Sequence, residues 1–212
     1  MSFDVLDLDN NIELAIQQLG FTSPTPVQEE AIPAALNGDD ILATAPTGTG
    51  KTLAFIAPAI QHLLDRDEPA TYAPKILVLA PSRELARQIY NFTESLIKNT
   101  NFTSQLIIGG TPYGMQQQQL SEDCDILIAT PGRLLELDEK KWLDLSDVSY
   151  FVIDEADRML DMGFSDSILK LSKLLPKEHQ TLMFSATLEG EKIGHLSSQL
   201  LKADAQHIRL GD

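Results

Sequence analysis

The stretch Ala45-Pro46-Thr47-Gly48-Thr49-Gly50-Lys51-Thr52 has the residue types needed to hold a chain of phosphates. Gly48 and Gly50 let the backbone curl so that successive N–H groups point inward at phosphate oxygens. Lys51 offers a mobile cation to the β- and γ-phosphates, and the Thr52 hydroxyl can ligate a magnesium ion. An apolar run, Asp40–Thr44, precedes the loop and reads as a strand; Leu53–Ala57 follows and reads as a helix, whose N-terminal dipole end points at the same spot. Strand, glycine-bearing loop, Lys-Thr and helix in this order describe a nucleotide phosphate loop, with Ala45 standing where the first glycine is usual.

A second group lies about a hundred positions on. Tyr150-Phe151-Val152-Ile153 runs straight into Asp154-Glu155-Ala156-Asp157. Two acids after a buried strand can complete a phosphate-loop ATPase: the first holds magnesium, largely through water, and the second polarises the attacking water. Taken alone, the same acids equally suit a helix N-terminus. Four histidines (His62, His179, His195, His207) are scattered without metal-ligand spacing and read as surface residues.

These groups need a frame. Strand-like runs at Ile41–Thr44, Lys75–Ala80, Gln105–Ile108, Asp125–Ala129, Tyr150–Ile153, Thr181–Phe184 and Gln206–Leu210 alternate with helical stretches at Val27–Leu36, Arg83–Ile97, Gly132–Leu137, Ser165–Leu174 and Glu189–Leu201. Strands apolar on both faces and separated by helices imply an α/β fold: a doubly wound, mostly parallel sheet with helices on both faces. Active residues in such sheets gather at the carboxyl ends of strands, where both groups fall. Pro58 should kink or end the helix after the phosphate loop. Asp65–Pro74 reads as a surface loop, and the polar run Gln116–Gln119 as a solvated helix face.

With 212 residues and 43% apolar content, the chain fits one domain with a full core. The lone Cys124 excludes an internal disulfide and suits a reducing compartment. The start, Met1-Ser2-Phe3-Asp4-Val5, lacks the pattern of a secretory signal, and no apolar run approaches the roughly 20 residues that span a bilayer. A cytoplasmic protein with no membrane partner is expected. The net charge of −15 repels a polyanion at long range, so contact with nucleic acid must rest on a few placed donors.

Asp154-Glu155-Ala156-Asp157 is identified as the name-giving motif of the DEAD-box ATP-dependent RNA helicases, and the chain resembles the first of that family's two RecA-like domains. Gly20-Phe21-Thr22-Ser23-Pro24-Thr25-Pro26-Val27-Gln28 resembles the adenine-reading Q motif, with Phe3 at the upstream aromatic position. Pro81-Ser82-Arg83-Glu84-Leu85-Ala86-Arg87-Gln88, Gly109-Gly110 and Thr130-Pro131-Gly132-Arg133 resemble the three RNA-contacting motifs, and Ser185-Ala186-Thr187 the motif that couples hydrolysis to strand separation. Arg158–Phe164 and Phe184–Gly190 are most similar to the bacterial SrmB-type helicases of ribosome assembly.

The resemblance implies ATP and magnesium as cofactors, with RNA, a second RecA-like domain and ribosomal precursor particles as partners. Gln28 would read N6 and N7 of adenine while Phe21 stacks on the base; a surface helix position for Gln28, and a terminus-pinning role for Phe3, are the plain alternatives. Pro81, Ser82, Arg83, Gly109, Gly110, Thr130, Pro131, Gly132 and Arg133 would face the RNA backbone without reading sequence. Arg83 and Arg87 could instead pair with Glu84 or another acid along their helix. Hydroxyls of Ser185 and Thr187 would bond Asp157, or cap the helix expected to begin at Thr187. No second-domain arginines follow, so residues 1–212 are expected to be a single RecA-like domain of a longer helicase, with residues 1–36 packed onto it and little activity alone. A DNA translocase motor and a nucleotide-dependent RNA clamp remain as other readings.

Overall fold

The computed structural model describes residues 1–210. Strands β1 (Ile41–Thr44), β2 (Ile76–Leu79), β3 (Ser104–Ile107), β4 (Ile126–Ala129), β5 (Tyr150–Ile153), β6 (Gln180–Ser185) and β7 (Gln206–Arg209) form one sheet in the order β3-β4-β2-β5-β6-β1-β7. Every pairing is parallel. The helices are α1 (Asn10–Gln18), α2 (Pro26–Leu36), α3 (Lys51–Arg66), α4 (Arg83–Ile97), α5 (Tyr113–Leu120), α6 (Pro131–Glu139), α7 (Ala156–Asp161), α8 (Ser165–Ser172) and α9 (Glu191–Leu200), preceded by a 3-10 turn at Phe3–Leu6.

The direction of travel through the sheet decides which face each helix covers. From β1 to β2 to β3 the chain moves toward one edge, and α3 and α4 pack on one face. From β3 onward it moves back, and α5 to α9 pack on the other. Parallel crossovers of one hand require this exchange of faces on reversal. Alternate strand residues serve the two cores: Ile76, Val78, Val152 and Phe184 point to the first, Leu77, Leu79, Ile153 and Met183 to the second. Helices on opposite faces follow the neighbouring strands β1 and β6, which opens a crevice at their carboxyl ends.

The N-terminal segment belongs to the first core, where Phe3, Leu6, Leu8, Ile12 and Ile16 are buried. Buried Asp40 fixes the base of β1: its carboxylate accepts from the N–H groups of Thr181 (2.9 Å) and Lys202 (2.9 Å). The phosphate-loop strand is thereby tied to β6 and to the segment leading into β7.

Several expectations are corrected. Helices α1 and α7 are additional to those read from the sequence, and α5 extends to Tyr113–Leu120 the helix read at Gln116–Gln119. The break at Pro58 does not occur, since α3 continues to Arg66 through a fully buried stretch where packing outweighs one lost hydrogen bond. Asp65 and Arg66 therefore belong to that helix rather than to the following loop. Gln116 is fully buried, not solvated. His62 and His179 are half-buried: His62 Nε2 lies 2.7 Å from Ser149 Oγ, and His179 Nδ1 lies 2.7 Å from the Pro176 carbonyl.

Candidate functional site

The two chemistry-bearing segments meet. The loop Ala45–Gly50 leaves β1 beside the end of β6, where the Ala45 N–H donates to the Ser185 carbonyl at 3.2 Å. Gly48 (φ 79°) and Gly50 (φ 83°) both occupy the left-handed region that turns the loop into α3. Pro46, Thr47 and Gly48 are exposed, and the Thr49 hydroxyl donates to the Pro46 carbonyl at 2.7 Å. Lys51 opens α3 with 8% of its surface exposed, and its ammonium has no hydrogen-bond partner among the described residues. Thr52 beside it is half-buried.

Asp154 follows β5, 3% exposed, its N–H donating to the Leu79 carbonyl at 3.0 Å. Burial pushes its carboxyl up to about 6; the Lys51 charge pulls it down, while Glu155 and Asp157 push it further up. Lys51 and Asp154, 103 positions apart, are thus electrostatic neighbours. One Asp154 oxygen accepts from the Glu155 N–H at 2.9 Å. Glu155 has a left-handed backbone (φ 50°), and its carboxylate accepts from Arg158 Nη1 at 2.7 Å. An orphaned buried ammonium within Coulombic reach of a buried carboxylate, with a threonine hydroxyl at the helix start, suits a polyphosphate and the hard cation that accompanies it. The residues present fit both.

Gln28, 2% exposed, is occupied at both ends: its oxygen accepts from the Thr25 N–H (2.9 Å), and its nitrogen donates to the Gly50 carbonyl (3.0 Å). It is a clasp between α2 and the phosphate loop, not a surface residue. Phe21 is partly exposed and meets Phe92 edge-on, with ring centroids 6.2 Å apart. Phe3 is buried, as terminus pinning requires.

The other motif residues lie along the same sheet edge. Pro81 and the α4 N-cap Ser82 follow β2, Gly109 and Gly110 follow β3, and Thr130, Pro131 and Gly132 follow β4. These three strands are neighbours, as are β5, β6 and β1, so these motif residues take one half of the edge and the phosphate loop with the Asp154–Asp157 acids takes the other. Arg83 is exposed and makes no ion pair with Glu84; its Nη1 donates to the Gly109 carbonyl at 3.4 Å and lies where a Cβ on Gly110 would sit 2.7 Å away.

Arg133 is differently placed. Its side chain is 13% exposed, its Nη1 donates to the Thr111 carbonyl (2.8 Å) and to Gln116 Oε1 (2.9 Å), and its Nε pairs with Glu136 (3.2 Å). The guanidinium also lies 4.4 Å from the centre of the Tyr113 ring. Much of its donor capacity is spent inside the protein. The expected bonds from Asp157 to Ser185 and Thr187 are likewise not made: Ser185 Oγ donates to the Thr187 carbonyl (2.5 Å), and Thr187 Oγ1 accepts from the Glu189 N–H (3.0 Å). One Asp157 oxygen stays buried without a partner. Helix α9 begins at Glu191 with Gly190 as its cap, so Thr187 is not the N-cap.

A family model described as DEAD/DEAH box helicase matches residues 25–196 of this sequence. The chain belongs to the DEAD/DEAH box helicase family. Among the relatives of this DEAD-box chain, the ATP-dependent RNA helicase SrmB of Escherichia coli K12 is 45% identical over 201 residues, covering 95% of this chain and 45% of that protein. A probable ATP-dependent RNA helicase, ddx27, of Dictyostelium discoideum is 47% identical over 191 residues, covering 90% and 24%. The crystal structure of a DEAD box protein from the hyperthermophile Methanococcus jannaschii superposes with a TM-score of 0.90 at 35% identity, over 100% of this chain and 56% of that one. The chain spans under half the length of these two curated relatives. Its seven-stranded parallel sheet is the RecA-like arrangement that the sequence resemblance implies.

Gln116, Glu136 and Arg158 touch DEAD-box motif residues, contacts that the sequence reading assigned to none of them. Gln116 and Leu120, one helical turn apart, share the buried face of α5; that spacing was readable, but the polar residue type masked it.

Proposed function

We propose that this chain is the ATP-binding motor domain of an ATP-dependent RNA helicase, coupling nucleotide binding and hydrolysis to local unwinding of RNA or remodelling of RNA–protein particles. The observation that carries the reading is the buried, partnerless Lys51 ammonium beside the buried Asp154 carboxylate. A buried charge left without a hydrogen bond is costly unless a ligand completes it.

In this reading Lys51 grips the β- and γ-phosphates, while the backbone of Ala45 to Gly50 lines the phosphate chain. Thr52 and Asp154 hold magnesium, largely through water, and the metal supplies charge neutralisation at the phosphoryl oxygens when bound. Glu155 releases Arg158 and orients the attacking water. Gln28 keeps a second N–H and a second lone pair for the adenine edge, so its clasp on Gly50 passes word of the base to the phosphate loop. Phe21 stacks on the base. Pro81, Ser82, Arg83, Gly109, Gly110 and Thr130 to Gly132 carry the RNA backbone, with few charges because the protein is acidic. Asp157, Ser185 and Thr187 re-pair on nucleotide binding and couple the two halves of the edge.

A second RecA-like domain completes the site from across the cleft; residues 1–212 alone form one domain that binds nucleotide weakly and turns over little. The partners include ribosomal precursor particles and the setting is the cytoplasm, a reading supported by the SrmB resemblance and the single reduced cysteine.

The test compares RNA- and DNA-stimulated ATPase of the full-length protein, wild type and Glu155→Gln. RNA stimulation lost in E155Q, with nucleotide binding kept, is expected. A larger DNA-stimulated rate, or RNA remodelling untouched by E155Q, overturns the proposal.

A further inference from the structure

Gln116 stands out because its setting contradicts its neighbourhood. In the run Gln116-Gln117-Gln118-Gln119 the two middle residues are exposed, yet Gln116 is 0% exposed. Its amide is used at both ends. The nitrogen donates to the Ile108 carbonyl at 2.8 Å, and the oxygen accepts from Arg133 Nη1 at 2.9 Å. Ile108 immediately precedes Gly109-Gly110; Arg133 sits in the first turn of α6, directly after Thr130-Pro131-Gly132. The same Nη1 also reaches the Thr111 carbonyl on the far side of the glycine pair. One buried side chain and one guanidinium therefore bracket Gly109-Gly110 from both ends and lock it to the start of α6.

We propose that Gln116 is a positioning residue for RNA binding: through Arg133 it holds the Gly109-Gly110 turn and the α6 N-terminus in one fixed relation, so that both meet successive phosphates of a strand. This rests on the reading that RNA lies along this edge. Glycines make a segment approachable but do not hold it in place, because they have the most freedom to lose. Something else must fix Gly109-Gly110, and a buried amide bonded at both ends does so, since breaking either bond strands a buried polar group. Arg133 then serves the nucleic acid chiefly through geometry, and Glu136 and Tyr113 complete its shell from the solvent side.

Gln116→Met keeps side-chain length and removes both bonds. Gln105→Met, which removes one amide bond from a side chain whose oxygen is already unpartnered, is the control. Gln105 is also a buried amide between β3 and α5, donating to the Gln119 carbonyl at 2.7 Å, but at the opposite end of the strand from the glycine turn. In the full-length protein with Mg–ATP, Q116M should weaken binding of a labelled oligouridine of about 12 nucleotides about tenfold. Its nucleotide affinity without RNA should match wild type, and Q105M should bind RNA within about twofold of wild type at a similar melting temperature. Hydrogen exchange at Gly109 to Thr111, measured without RNA, should speed up in Q116M alone. Equal RNA losses in both variants, or unchanged exchange in Q116M, overturn the proposal. Should the wild type fail to bind oligouridine, the RNA reading fails instead, and the exchange result alone decides what Gln116 does.

Discussion

The Gln28 side chain donates to the Gly50 carbonyl at 3.0 Å, 22 positions away, while accepting from the Thr25 N–H at 2.9 Å. One amide thus caps the start of α2 and grips the last residue before α3. A Cβ on Gly50 would lie 2.4 Å from the Gln28 nitrogen, and Gly50 has φ 83°. Gly50→Ala should cost about 1–2 kcal/mol from the left-handed backbone alone. It should also displace Gln28, so nucleotide affinity falls. Adding Gln28→Ala relieves the clash but not the backbone strain, so the double variant should regain part of the lost stability; a double variant no more stable than G50A would rule out the clasp.

Lys51→Met separates the cost of the buried ammonium from its use. Without nucleotide, the variant should melt within about 4 °C of wild type, because no hydrogen bond is lost. With Mg–ATP at about 100 times Kd, wild type should gain about 2.7 kcal/mol and the variant almost nothing. Thermal melts with and without nucleotide read both. A nucleotide-free variant that collapses would make Lys51 a structural residue.

His62 supplies a pH dependence unrelated to nucleotide. Burial, then the neighbouring Arg66, hold its pKa below the usual 6.5, against the pull of Asp65 and Glu68. The folded protein therefore binds fewer protons here than the unfolded chain, and this share of stability is lost as pH falls below the unfolded value. Between about pH 7.5 and about pH 5.5, wild type should lose more stability than His62→Gln. Denaturant melts at the two pH values check this; parallel losses would show that His62 is not the responsible group.

Cys124 is buried, and its Sγ donates to the Ile126 carbonyl at 3.3 Å. Burial, with the neighbouring Asp125 charge, pushes its thiol far up. At about pH 8 the native protein should react with an aromatic disulfide only as fast as it opens globally, and urea should raise both rates together. Rapid labelling of folded protein would place the thiol in a looser segment.

What the sequence made legible follows from how local the cause is. The runs Ile41–Thr44 and Tyr150–Ile153 match β1 and β5 to the residue, because nearly every position is apolar and buried; in β1 only the terminal Thr44 is polar and half-buried. Helix α4 matches as well, since Ser82 caps it and the apolar spacing is regular. Helix α5 was legible as a helix but not in its packing: Tyr113-Gly114-Met115-Gln116-Gln117-Gln118-Gln119-Leu120 has almost no apolar face, and amide-to-carbonyl bonds from Gln119 to Leu106 of β3 and from Gln116 to Ile108 just after it hold the helix in place. The meeting of Lys51 with Asp154 followed from strand-end logic. The employment of Gln28 and Arg133 inside the protein did not, because type and spacing do not show what a side chain touches across the fold.

The sheet order also bears on how the molecule comes into being. Strand β1 has neither of its lateral partners nearby in the chain; both β6 and β7 are made more than a hundred residues later. During synthesis, β2, β3 and β4 can pair as soon as they leave the ribosome, while the Ile41–Thr44 segment and the turn behind it wait unpaired. The edge proposed to carry the nucleic acid is therefore assembled first, and the proposed nucleotide pocket closes only when Gln180–Ser185 arrives, so a nascent chain stalled before that point should not bind ATP.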